Sequence, residues 1–477
     1  MRKDLITLAI DMGAESGRVI AVHFDGESLQ ADELHRFANG PVNVRGTLYW
    51  DVIGLWREIQ IGIDKGLAFH PSSLGVDTWG VDFALLDSQG KMLGNPVHYR
   101  DSRTDGVMER AFEHVSKPEI FKVTGIQFSQ INTLYQLMSL VESHSPQIKA
   151  ACTFLTIPDF FNYLLTGVKT NEFSIGSTTQ MLSASTGEWA IEMLDKMGIP
   201  THIFSELVPP GTRLGEFRGI PVIAPACHDT GSAVAAVPAQ EKHFGYISSG
   251  TWSLAGLEVE AAIINQDALK ANVTNEGGVY GTYRLLKNIT GLWIIQQCRA
   301  TWKLQGESFS YDELTGMAQA AEPFQTLMDP DDPVFLTPGN HVERIRTWCQ
   351  IHGQPVPETK GAIVRSVLES LALKYRQVFD ELASLTGTKI ETIHIIGGGS
   401  RNNLLNQFTA NATDLPVVAG PVEATVLGNA LVQLITLREI RDLTEGRQIV
   451  ANAGGMKRYH PCDQREWNES YERFLNL

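Results

Sequence analysis

The stretch Leu5-Ile6-Thr7-Leu8-Ala9-Ile10-Asp11-Met12-Gly13-Ala14-Glu15-Ser16-Gly17-Arg18 decides how this 477-residue chain is read. A β-rich apolar run at 5–10 meets a carboxylate, then a glycine-containing turn, and 18–24 resumes as a second strand that ends at Asp25-Gly26. A similar unit returns near mid-chain. Gly245-Tyr246-Ile247-Ser248 leads into Ser249-Gly250-Thr251, and 252–259 reads as the returning strand. Two β-turn-β units, one opening each half, predict a duplicated architecture with a cleft between the halves.

The remaining segments alternate strand and helix. Strands are predicted at 73–77 and 83–86, helices at 134–142 and 160–165. Ile363, Val367, Leu371, Tyr375, Val378 and Leu382 recur at helical spacing, which predicts a long helix over 362–385 that ends at Gly387. It feeds a buried β-run at 392–396 and then Gly397-Gly398-Gly399-Ser400. Pro209-Pro210-Gly211 and 219–221 read as loops. Asp329-Pro330-Asp331-Asp332-Pro333 reads as a solvated surface turn, because it lacks the glycine and distal glutamate of a calcium loop. The implied class is α/β in both halves, 1–237 and 238–477.

Composition excludes several functions. At 43% hydrophobic residues the chain can bury large cores. A net charge of -15 repels phosphate backbones and anionic lipid, so neither nucleic acid nor a membrane surface is expected as a partner. No apolar run is long enough to span a bilayer. The MRKD start and its short apolar run do not make a signal peptide. Five scattered cysteines without a CxxC pair argue against disulfides or zinc and for a reducing, cytoplasmic setting. Cys227 reads as a packed small residue, and His35, His98, His114, His341 and His460 are isolated.

Four segments carry candidate chemistry. In the first, glycines let backbone amides approach a phosphate, Asp11 can hold Mg²⁺ through water, and Arg18 can neutralise charge on a transferring phosphoryl group. The plain alternative is a hairpin turn. In the second, Ser248-Ser249-Gly250-Thr251-Trp252-Ser253, hydroxyls and amides can reach a phosphate, although such residues also build ordinary loops. The third is Gly397-Gly398-Gly399-Ser400-Arg401-Asn402. Its glycines let the backbone lie flat against a ligand ring, with Ser400 or Asn402 capping the next helix; it lacks the GxGxxG spacing of a dinucleotide site, and a nucleoside site beside a helix start fits better. The fourth is Ala226-Cys227-His228-Asp229-Thr230-Gly231-Ser232 with its small-residue helix, matched by Glu423-Ala424-Thr425-Val426-Leu427-Gly428-Asn429-Ala430. Asp229 there is a candidate catalytic base and also a candidate N-cap, the commoner use of Asp before a helix, and the two roles are compatible.

In this order the elements resemble the actin/hexokinase/Hsp70 ATPase superfamily. Within it the chain is similar, over essentially its whole length, to the FGGY carbohydrate kinases. The strings that carry this are Gly75-Val76-Asp77-Thr78-Trp79-Gly80-Val81-Asp82-Phe83, Tyr99-Arg100-Asp101-Ser102-Arg103-Thr104, Asn132-Thr133-Leu134-Tyr135-Gln136-Leu137, His228-Asp229-Thr230, Thr274-Asn275-Glu276-Gly277-Gly278 and Leu286-Lys287-Asn288-Ile289.

The resemblance implies two actin-like (ribonuclease H-like) domains. The first would bind sugar and carry the first phosphate loop; the second would carry the second phosphate loop and bind adenosine. It implies ATP-dependent phosphorylation of L-rhamnulose at C1, with Mg²⁺. Carried over, Ala14, Glu15, Ser16, Gly17, Arg18 and Thr251 hold ATP phosphates, while Gln296, Gly398 and Gly399 contact the nucleotide. Gly80, His228, Asp229, Thr230 and Asn288 contact the sugar, and Asp229 is the proton acceptor. Glu15 stands where relatives often carry Ser, and Ile131 where Phe is usual. The rival readings are a kinase for L-fuculose, D-xylulose or the autoinducer-2 sugar, and a non-catalytic sugar- or nucleotide-responsive protein on the same fold. Oligomeric state is open.

Overall fold

Leu8, Ala9 and Ile10 have no exposed surface, and a strand buried on both faces belongs in the middle of a sheet. The computed structural model, which describes residues 5–477, places it there. The MRKD start lies outside the described residues. Strand β1 (Leu5–Met12) sits inside a six-stranded sheet with β2 (Ser16–Phe24), β3 (Leu29–Ala38), β4 (Ser73–Thr78), β5 (Arg213–Phe217) and β6 (Ile220–Ile223). The spatial order is β5-β6-β4-β1-β2-β3. β1 pairs antiparallel with β2, opposing Asp11 to Arg18, and parallel with β4, placing Asp11 beside Asp77.

Each face of this sheet is covered by a helix admitted by small residues. The helix Val52–Gly66 lies on the face of Leu8 and Val19; a Cβ at Gly62 would stand 2.3 Å from Val19 Cγ2. The helix Ala424–Thr436 lies on the face of Ser73, Gly75 and Asp77, where Ser73 Oγ donates to Gln433 Oε1 at 2.7 Å. It also packs on the helix Asp229–Ala235, and a Cβ at Gly428 would fall 1.7 Å from the Ser232 carbonyl oxygen. The two small-residue runs of the sequence therefore pack on one another.

The chain forms two compact bodies. One comprises residues up to Pro238 with Glu258–Leu285 and Glu423–Gly454; the other comprises Ala239–Leu257, Leu286–Val422 and Gly455–Leu477. In the second body β7 (Phe244–Ser249) and all but the last two residues of β8 (Ser253–Val259) form the returning hairpin. β7 also pairs parallel with β9 (Thr392–Ile396), then come β10 (Val417–Ala419) and antiparallel β11 (Lys457–Tyr459). An antiparallel hairpin whose first strand runs parallel to a later strand thus recurs in both bodies.

The long helix is Lys360–Thr386, capped by Thr359 and ended by Gly387 at φ 66°, a conformation glycine adopts without strain. Its Phe379 packs on Gly245, where a Cβ would lie 2.7 Å from the ring. Two loop expectations change. Gly219 makes the turn, but Ile220 and Pro221 already belong to β6. The turn at 329–333 is solvated only in part: the Asp329 side chain is 42% exposed, but its acidic groups meet a buried lysine. Lys374 donates to Asp329 at 3.0 Å and stands 3.5 Å from Asp331, which accepts from the Thr290 amide at 2.9 Å. A lysine buried on the long helix draws the acidic turn inward. The helix His341–Ile351 after it was not foreseen.

Candidate active site

β1 and β2 carry the first loop. Arg18, its side chain 16% exposed, makes short ion pairs with both Asp11 and Glu423. Burial opposes its charge, but the two carboxylates outweigh that and hold the guanidinium above its ordinary range. The turn is closed by the Gly13 amide, which donates to Ser16 O at 3.0 Å, and by Asn39, whose Nδ2 donates to Gly13 O at 2.8 Å. Glu15 is exposed, and Ala14 and Ser16 are half-buried. Gly17 serves packing more than ligand access, since a Cβ there would meet Phe37 at 2.2 Å.

Beside Asp11, the fully buried Asp77 accepts from Asn429 Nδ2 at 2.6 Å through Oδ2, while its Oδ1 has no hydrogen-bond partner among the described residues. Burial, then the nearby charge of Asp11, pushes the Asp77 carboxyl well above the usual carboxylate range.

Thr78 joins His228 through an isolated parallel bridge, which brings the Gly80 segment to the head of the helix Asp229–Ala235. A Cβ at Gly80 would lie 3.3 Å from His228 Nε2 and from Thr178 Oγ1. The N-cap position belongs to His228, so Asp229 is the first helical residue. Its side chain, 28% exposed, accepts from the Thr230 amide at 2.5 Å and lies 3.4 Å from His228 Nε2. Burial raises the Asp229 pKa, Asp11 adds to the rise, and His228 pulls against it. Behind His228, its Nδ1 is 3.1 Å from Arg284 Nη2 and 3.2 Å from Glu276 Oε2, and Arg284 Nη1 is 3.2 Å from the same carboxylate oxygen. Trp79 is buried, its ring centroid 4.1 Å from that of Trp50 with the planes tilted by 34°, and its Nε1 donates to Asp82.

In the second body the structure joins two residues that the sequence could link only by resemblance. Gln296 Nε2 donates to Thr251 Oγ1 at 3.3 Å, and the Trp293 amide donates to Thr251 O at 3.1 Å. The triple-glycine turn leans on the hairpin: a Cβ at Gly399 would fall 2.0 Å from Ser249 Oγ, whereas one at Gly398 would meet nothing within 4 Å. Gly398 is therefore the open glycine. Asn402 caps the next helix, accepting from the Leu405 amide at 3.0 Å. Asn288 stands half-buried on the strand Tyr283–Ile289.

Asn39, Asp77, Glu276, Arg284, Glu423 and Asn429 are the parts of this framework that sequence reasoning left without a role. Asp77, Glu276, Glu423 and Asn429 do lie inside quoted strings; Asn39 and Arg284 carry no local signal.

Among the described residues no group of three His, Cys, Asp or Glu side chains forms a protein-only metal cage. A hydrated Mg²⁺ needs only one or two carboxylates. Asp11, with the unpartnered Oδ1 of Asp77 next to it, fits that demand. What the geometry offers is a carboxylate with a raised proton affinity beside a histidine, a second carboxylate pair next to an arginine, and a hairpin turn rich in amides and hydroxyls.

Similarity to known proteins extends over nearly the whole chain. Residues 6–222 match the N-terminal domain of the FGGY family of carbohydrate kinases, and residues 245–437 match its C-terminal domain. A rhamnulokinase of Bacteroides thetaiotaomicron is 45% identical over 98% of each chain; one of Oceanobacillus iheyensis is 41% identical over 95% of this chain and 97% of that one. Xylulose kinase from Lactobacillus acidophilus superposes with a TM-score of 0.80 at 16% identity, covering 99% of this chain and 97% of that one. Plasmodium falciparum glycerol kinase with ADP gives 0.77 at 16%, over 99% and 98%. These two share the two-domain α/β fold. With both family domains in order and close relatives spanning nearly every residue, the chain belongs to the FGGY family of carbohydrate kinases.

Proposed function

We propose that this chain transfers the γ-phosphoryl group of ATP to the C1 hydroxyl of L-rhamnulose, giving L-rhamnulose 1-phosphate and ADP, as a step of L-rhamnose catabolism in the cytoplasm. The observation that carries the reading is the meeting of Gly80, His228 and Asp229. Strings remote in sequence converge on a partly open carboxylate whose affinity for protons is raised. The 41% and 45% identities to rhamnulokinases support the choice of sugar.

Asp229 accepts the C1 hydroxyl proton as the oxygen approaches phosphorus. In a loose transition state that help comes late, and the carboxylate chiefly orients the hydroxyl. Gly80, His228, Thr230 and Asn288 hold the sugar. His228 is kept in place by Arg284 and Glu276. Ala14, Glu15, Ser16, Gly17 and Arg18, together with Thr251, bind the ATP phosphates; Gln296, Gly398 and Gly399 bind the rest of the nucleotide. Functionally, 1–237 supplies the sugar site and first phosphate loop, and 238–477 supplies the second loop and adenosine contacts. Asp11, backed by Asp77, would hold Mg²⁺ through water. When bound, the ion neutralises phosphate charge.

The test is ADP release by the purified chain with ATP, measured over L-rhamnulose, L-fuculose, D-xylulose, the autoinducer-2 sugar and a sugar-free control. The reading requires L-rhamnulose to give the highest kcat/KM and the control to be slow. A higher kcat/KM for another ketose reassigns the substrate, and no sugar-dependent release would leave a binding protein.

A further inference from the structure

Between β4 and the strand Phe83–Leu86 the chain passes through Trp79-Gly80-Val81-Asp82. The Asp82 amide donates to Gly80 O at 2.9 Å, and Val81 has φ 66°. This is a γ-turn of the positive-φ form, the rare and strained one. A β-branched residue in that region is an outlier, and such backbone persists only where its surroundings over-determine it.

Those surroundings are a helix that the function has not used. From the helix Thr133–Glu142, Thr133 Oγ1 donates to Val81 O at 2.6 Å and Gln136 Nε2 donates to the same oxygen at 3.2 Å. Thr178 Oγ1 accepts from the Val81 amide at 3.3 Å. Gln136, with no exposed surface, also has Nε2 3.1 Å from Asp82 Oδ1 and 2.8 Å from Ile131 O, so its two amide hydrogens are shared among three acceptors, and its Oε1 accepts from Arg103 Nη2 at 2.7 Å. Asp82 Oδ2 in turn accepts from Trp50 Nε1 at 2.6 Å and Trp79 Nε1 at 3.0 Å.

We propose that Gln136, with Thr133, is a positioning residue for the sugar: the pair clamps Val81 in its strained turn and thereby fixes Gly80 against His228. The proposal rests on the reading of Gly80 as a sugar contact. Without the clamp the turn relaxes toward negative φ, Gly80 moves, and the sugar is held in the wrong place while the ATP contacts are untouched. A glycine at 81 would adopt the turn without strain but would not hold it; valine under two hydrogen bonds gives one defined geometry.

The experiment measures KM and kcat for both substrates in Gln136→Met, Thr133→Val and Gly80→Ala, with the thermal midpoint of each. Folded Gln136→Met is expected to raise the L-rhamnulose KM about tenfold, leave the ATP KM within about twofold, and lower selectivity over D-xylulose. Thr133→Val, a smaller change, is expected to act in the same direction and serves if Gln136→Met does not fold. A general loss of packing would lower kcat and the midpoint without separating the two KM values. If Gly80→Ala raises the sugar KM while folded Gln136→Met or Thr133→Val leaves it unchanged, the clamp is wrong and the sugar site stands. An unchanged sugar KM in Gly80→Ala overturns both.

Discussion

Asn429 Nδ2 donates to Asp77 Oδ2 at 2.6 Å across 352 residues of sequence, and the strand register sets that aspartate beside Asp11. The same asparagine donates to Gly75 O at 3.2 Å and accepts from Gln433 Nε2 at 2.6 Å. One fully buried amide thus ties the helix Ala424–Thr436 to the strand that supports the first loop. Removing it leaves a buried carboxyl without its donor. Asn429→Ala is expected to lower unfolding free energy by about 1–3 kcal/mol in urea at pH 7. Asn429→Asp should cost more, because it adds a carboxylate beside Asp77. Unchanged unfolding midpoints in both would show that the bond contributes nothing.

The glycine turn after β9 separates a ligand contact from a packing need. Gly399→Ala drives a Cβ into Ser249 Oγ at 2.0 Å and is expected to destabilise the second body by about 1–3 kcal/mol. Gly398→Ala meets open space and should fold normally, but it should raise the ATP KM severalfold while leaving the sugar KM alone. Thermal midpoints and ATP titrations distinguish the two. An unaltered ATP KM in Gly398→Ala would remove that glycine from the nucleotide site.

Burial raises the Asp82 carboxyl to about 6, against hydrogen bonds from Trp50, Trp79 and Gln136 that lower it. The folded chain therefore keeps this proton at pH values where the unfolded chain has lost it, so folding takes up a proton between about pH 4 and 6. This group's contribution is greatest below that window and is lost as pH rises through it. Asp82→Asn cannot titrate. Its stability profile, measured by denaturant unfolding from pH 4 to 7, is expected to lack a fall on the order of 2–3 kcal/mol that the unsubstituted chain shows. Parallel profiles would mean that Asp82 does not hold the proton.

What could be read from the sequence was whatever a local pattern encodes. The hairpin around Asp11, its counterpart around Ser249, the long helix and its Gly387 stop all follow from apolar spacing and turn residues. The two matching small-residue runs were visible as well; that they pack on one another comes from the structure. Asp229 was visible as a candidate but not as a choice between base and cap; the N-cap position of His228 resolves the geometry. Arg18 looked free to meet a phosphate, yet it is already paired with Glu423, 405 residues away. Asn39, Arg284 and Asn429 act through partners that only the tertiary fold supplies, so no spacing rule marks them. The ion pairing of the acidic turn at 329–333 is hidden for the same reason: its counter-charge, Lys374, lies on a distant helix.

The most direct test of the whole account compares the unsubstituted chain with Asp229→Asn in a coupled assay of L-rhamnulose-dependent ADP release at saturating ATP. The carboxylate should be needed for turnover but not for the fold, so the variant is expected to keep its thermal midpoint within a few degrees and lose about 10²–10⁴-fold in kcat. In the unsubstituted chain the acid limb of the kcat/KM profile should lie above the ordinary carboxylate range, in line with the raised Asp229 pKa. A folded Asp229→Asn that releases ADP at nearly the normal rate would contradict the account.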